Sequence, residues 1–113
     1  MKHGTHIVKA HQRSFDTAPR TRVRDVVQPI RHDVDNPGWF YGMTPDGVEG
    51  YFPSEWFDIA ADGSEAIAQR EYDAMELTVA VGEQVECLDA VAGWILVQTA
   101  DGRHGWVPQE CIS

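Results

Sequence analysis

The chain writes one phrase twice. Residues 38–58 read GWFYGMTPDGVEGYFPSEWFD, and residues 93–113 read GWILVQTADGRHGWVPQECIS. The two align without a gap at an offset of 55 (38 with 93). Gly38, Trp39, Thr44, Asp46, Gly47, Gly50, Pro53 and Glu55 each meet an identical residue. Phe40, Tyr51, Phe52 and Phe57 meet Ile95, Trp106, Val107 and Ile112, which match in kind. Upstream the offset becomes 58, where Asp25-Val26-Val27 meets Glu83-Gln84-Val85, and the first copy carries three extra residues before its Trp. Self-similarity on this scale is the mark of a duplicated supersecondary unit. It predicts two small repeats, residues 1–61 and 62–113.

Each copy reads as strands and turns. Residues 39–43 and 94–98 are aromatic and β-branched runs of strand length. Each leads to a turn closing on Asp-Gly, at Asp46-Gly47 and Asp101-Gly102, where glycine supplies the backbone freedom such a turn needs. A second short strand follows, at Tyr51-Phe52 and Trp106-Val107, and Pro53 or Pro108 stops it because proline has no N–H for a ladder. Glu76–Val79 and Gln84–Leu88 alternate well enough to be strands around Gly82-Glu83. No long stretch shows helical period. The small, polar run Ala60-Ala61-Asp62-Gly63-Ser64-Glu65 reads as the linker between the repeats.

The charge is −9 and uneven. Residues 1–61 hold seven Lys/Arg and eight Asp/Glu, whereas residues 62–113 hold two and ten. Acid at that density repels phosphate backbones, so nucleic acid is not an expected partner. It keeps a small β-rich protein soluble, or meets a cationic partner. No run approaches the ~20 apolar residues that span a bilayer, and the start, MKHGTHIVKAHQRS, lacks the apolar core of a signal peptide. The expected location is the cytoplasm. Cys87 and Cys111 fit that expectation as thiols, since small secreted folds usually carry more cysteine.

In this order and spacing the residues resemble the SH3 family. Gly-Trp, a strand, an Asp-Gly turn and then Gly50-Tyr51-Phe52-Pro53-Ser54-Glu55-Trp56-Phe57 is similar to the second half of an SH3 domain. Ala66-Ile67-Ala68, followed by Glu76-Leu77-Thr78-Val79-Ala80-Val81-Gly82-Glu83, is similar to its opening. The duplication resembles the bacterial tandem variant SH3 proteins, often labelled ligand-binding SH3. The resemblance implies an all-β chain of two tandem, partly open five-stranded barrels packed on each other.

It also implies a site. SH3 domains hold proline-rich segments in a shallow groove walled by aromatic rings. An extended polyproline II ligand loses little entropy on docking there. Carried over residue by residue, copy one supplies Trp39 and Trp56 as walls and Pro53 as floor, with Tyr41 on the strand that Trp39 opens. Copy two supplies Trp94 and Pro108 but has Cys111 in place of the third aromatic. Its opening, Ala68-Gln69-Arg70, lacks the expected aromatics, although Tyr72 is near enough in sequence to swing in. Copy one's opening, Ile7–His11, lacks tyrosines too. Asp33 and Asp35, or Asp73 and Glu76, are the acids that would pair with a ligand arginine.

Other chemistry finds little support. His3, His6 and His11, with His32, carry imidazoles but no metal-ligand spacing. Asp16 or Asp25 with His11 and Ser14 forms no recognisable triad motif. The expectation is a non-catalytic interaction module without cofactor or metal. It binds a protein or peptide segment, proline-rich or cationic, mainly through repeat 1. The alternative is a structural or assembly protein whose surfaces pack within the chain or into a homodimer.

Overall fold

A computed structural model describes residues 3–14, 17–32 and 37–113, with only the backbone of His3 and His32. The chain is all-β. Its strands are β1 (His3–His6), β2 (Arg20–Thr21), β3 (Val26–His32), β4 (Trp39–Met43), β5 (Glu49–Pro53), β6 (Phe57–Ile59), β7 (Ala66–Ala68), β8 (Tyr72–Asp73), β9 (Gln84–Val91), β10 (Trp94–Thr99) and β11 (His104–Pro108). One 3₁₀ turn follows each proline, at Ser54–Trp56 and Gln109–Cys111.

The duplication is visible bond by bond. Thr44 N–H donates to Val48 O at 2.9 Å, and Thr99 N–H donates to Arg103 O at 2.8 Å. In each Asp-Gly turn the threonine hydroxyl bonds the aspartate, Thr44 to Asp46 and Thr99 to Asp101. Gly47 and Gly102 take φ of +86° and +90°, which only glycine adopts freely. After each proline the chain is tied back to the Gly-Trp corner, Ser54 N–H to Gly38 O at 2.8 Å and Gln109 N–H to Gly93 O at 2.9 Å. Gly50 and Gly105 are equivalent again. A Cβ on Gly50 would stand 2.6 Å from Pro19, and one on Gly105 would stand 2.9 Å from Leu77.

The compact units do not divide at 61/62. Unit 2 is residues 17–74, and unit 1 is residues 1–16 together with 75–113. Each unit takes its opening strand from the other repeat. β7, from copy two, pairs with β3 and β6 of copy one, giving the sheet order β5-β4-β3-β7-β6. β1, from copy one, pairs with β9 of copy two, giving β1-β9-β10-β11, and Ile7 bridges Ile112. The legs that follow are exchanged as well. Tyr72 faces Thr21 in unit 2, and His11 faces Val79 in unit 1. Glu76–Val79 makes isolated bridges, to Trp106 and His11, rather than the strand its alternation predicts.

The run at 60–65 is a hairpin turn and not a loose linker. Ala60 N–H donates to Glu65 O, and Gly63 N–H to Ala60 O, both at 2.9 Å. Asp62 accepts from the Ser64 N–H and hydroxyl, and these bonds hold its carboxyl below the usual range. This turn folds β7 directly back onto β6, which makes unit 2 continuous in sequence. Unit 1 is thus split by an insertion whose ends are held together, since Ala74 N–H bonds Pro19 O at 3.0 Å.

Core volumes explain which strand goes where. Unit 2 is built on Phe40, Phe52 and Phe57, whose centroids stand 5.4 Å apart pairwise. Its exchanged strand brings only Ala66 and Ala68, both fully buried. Unit 1 has Ile95, Val107 and Ile112 at the phenylalanine positions, and its exchanged segment brings the large, fully buried Ile7. Ile7 and Ala68 are equivalent. Each N–H bonds the carbonyl of Glu83 or Asp25, and each carbonyl accepts from Gly82 or Arg24.

Truncation of Ile7 to Ala is expected to cost about 2–5 kcal/mol, the range for a large-to-small change in a packed core. Hydrogen exchange should show the loss confined to unit 1. The change Phe52→Ala should instead open the exchange of both units, because unit 2 holds the two parts of unit 1 together. If unit 1 stays protected in Phe52→Ala, that dependence is absent.

Candidate functional site

The aromatic residues of copy one come together, but as a packed cluster. Trp39 is 8% exposed and Trp56 7%, and Pro53 is fully buried. Trp56 meets Tyr72 edge-on at 5.8 Å, and the Arg70 guanidinium lies 3.7 Å from its ring centre. Tyr72 is itself buried and donates its hydroxyl to Tyr51 O at 3.0 Å. Copy two thus supplies the tyrosine that packs on Trp56 of copy one. Trp39, Pro53, Trp56 and Tyr72 do not form the open groove expected of them.

Tyr41 sits elsewhere, in a row across β3, β4 and β5. It meets Tyr51 edge-on at 5.1 Å and carries Arg31 4.2 Å from its ring centre. Partial desolvation, with Glu49 nearby, raises the pKa of its phenol. Asp33 and Asp35 lie outside the described residues. Asp73 makes an ion pair with Arg20 at 3.4 Å within the β2–β8 ribbon.

Unit 1 is arranged differently at the equivalent place. Trp94 and Pro108 face each other across β10 and β11, and both are only partly buried. Where unit 2 has Trp56, unit 1 has the smaller Cys111, which is buried. Where unit 2 has Tyr72, unit 1 has His11, edge-on to Trp94 at 5.7 Å. His11 Nε2 lies 2.8 Å from Glu76 Oε1. The same oxygen accepts from the Ser14 hydroxyl at 3.1 Å and the Ser14 N–H at 3.3 Å. One carboxylate therefore anchors the segment 11–14.

His11, Ser14 and Glu76 are not arranged as a nucleophilic relay. A relay needs the imidazole between the hydroxyl and the acid, whereas here both groups point to one carboxylate oxygen. Among the described residues no group of three or more His, Cys, Asp and Glu could hold a metal ion. Cys87 and Cys111 are free thiols, and burial pushes the pKa of each up. A shallow, polar concavity of about 550 Å³ lies over the β1–β9–β10 sheet, lined by Thr5, His6, Gln84, Glu86, Gln98 and Thr99 among others. Among the described residues no helix is long and apolar enough to cross a membrane.

The cluster around His11 was hidden from sequence reasoning. His11 belongs to copy one and Trp94 to copy two, and only the exchange of opening segments brings them together.

Collisional quenching checks the difference between the units. Iodide should reach Trp94 and leave Trp39, Trp56 and Trp106 largely protected, so Trp94→Phe should remove most of the quenchable emission. The Asp101 carboxyl should titrate below its ordinary value, because the Thr99 hydroxyl and Arg103 bond its charged form. Thr99→Val should raise that midpoint in a carbon-detected NMR titration. Comparison of the chain with protein-family models, with curated proteins and with solved structures gave no match.

Proposed function

We propose that the chain is a non-catalytic protein-interaction module. It is built as two SH3-like units with exchanged opening strands, and it binds a cationic or proline-containing protein segment through unit 1. The observation that carries this reading is the partly buried pair Trp94–Pro108, which face each other across β10 and β11, with His11 linking Trp94 to the Glu76 carboxylate. An indole beside a proline ring offers flat apolar walls to an extended segment. The acidic excess of residues 62–113 favours cationic partners and opposes nucleic acid. The corresponding rings of unit 2 support packing, so the reading moves from the first repeat to the second.

A peptide array of proline- and arginine-containing segments tests it. Bound sequences should lose at least tenfold in affinity with Trp94→Ala and little with Trp39→Phe. An array on which Trp94→Ala binds as wild type does would refute the proposal.

A second reading, assembly of copies of this chain, is favoured by one observation. Val23, Val26 and Ile30 of unit 2 are 52%, 42% and 51% exposed within one short stretch. Surface apolar residues grouped in this way suit a protein contact. Light scattering should then show a concentration-dependent dimer that Val26→Lys abolishes. A monomer at all concentrations would remove this second reading.

A further inference from the structure

In unit 1 the carboxylate next to the partly buried Trp94 is already occupied. Glu76 Oε1 takes its bonds from His11 and Ser14, both in the exchanged segment. His11 also stands edge-on to Trp94. One imidazole thus touches both the anion and the aromatic ring.

We propose that His11 is an internal plug. Its ring fills the place between Glu76 and Trp94 that the guanidinium of a bound arginine would take, and binding requires the side chain to swing out. This inference rests on the reading of unit 1 as the docking unit and adds its regulation.

Comparison within the chain carries the argument. In unit 2 the equivalent residue, Tyr72, gives its hydroxyl to a backbone carbonyl, Tyr51 O. The position equivalent to Glu76 is Ala18. That ring is fixed to the backbone, and the alanine at position 18 has no carboxylate to offer a ligand. In unit 1 the ring is fixed instead to a carboxylate, which a strong cation can take over. Arginine is such a cation. Its planar fork is always charged, can bond both oxygens of a carboxylate and stacks on indole. The chain itself shows this stacking, with Arg70 over Trp56 at 3.7 Å.

The backbone does not need to move far. His11 N–H bonds Val79 O at 3.0 Å, and Val79 N–H bonds His11 O at 2.8 Å. These bonds hold the strand segment while the imidazole rotates. Ser14 gives up its two bonds to Glu76 at the same time, while the Arg13 N–H stays on Thr78 Oγ1 at 3.1 Å, so binding at the seat frees Ser14 and leaves Arg13 held.

The test uses the full chain and N-acetylarginine amide, with N-acetylcitrulline amide as its neutral isostere. The readout is the Trp94 indole N–H signal, assigned with Trp94→Phe. His11→Ala should bind the arginine probe at least tenfold more tightly than wild type, with no gain for the citrulline probe. Glu76→Gln should abolish arginine binding. His11→Gln provides a second variant should His11→Ala lose its native amide spectrum. Equal arginine affinity in wild type and the His11 variants would overturn the plug and leave the docking reading standing. No movement of the Trp94 signal in any folded variant would overturn the cation seat and, with it, this reading of unit 1.

Discussion

The pairing of each opening strand with the other repeat is the constraint on which the molecule depends. An edge strand brings backbone donors and acceptors, but its place is decided by what its side chains fill. Ile7 belongs over a core of valines and isoleucines, and Ala66 and Ala68 belong against three phenylalanines. Reversing them would crowd one core and leave a hole in the other. Interiors packed as densely as organic crystals tolerate neither well. Complementary volume therefore makes the exchange specific.

That exchange also divides the labour between the units. Unit 2 receives an arginine and a tyrosine from copy two, Arg70 and Tyr72, which close over Trp56. Unit 1 receives a histidine and a serine from copy one, His11 and Ser14, which gather on Glu76. The duplicated sequences thus lead to two local chemistries, one buried and aromatic, one partly open with a carboxylate at its edge. A cysteine in place of the third aromatic separates them at the level of a single residue.

The repeat was fully legible in the sequence, because turns, prolines and the Gly-Trp corner are local signals. Thr44-Asp46-Gly47 and Thr99-Asp101-Gly102 form matching turns, and Pro53 and Pro108 end matching strands. The all-β class followed from the same signals. The unit boundaries did not, since strand pairing between distant segments leaves no periodic trace. The run Ala60–Glu65 has the composition of a linker, and the same composition makes a hairpin turn when its Asp and Gly are placed for one. The burial of Trp56 is invisible in its own stretch of sequence for a related reason. The residues that cover Trp56 lie in the other copy, and a window of sequence around it cannot show them.

The turn at 60–65 has a consequence for the order of folding. Residues 17–74 carry all the paired strands of unit 2, so that unit can fold without the residues that follow it. Ile7 has no such option, because the other residues of its core cluster lie beyond position 74. On refolding, a stage is therefore open to the chain in which unit 2 is native while the strand that carries Ile7 is still unpaired, and unit 1 closes only when that strand finds β9.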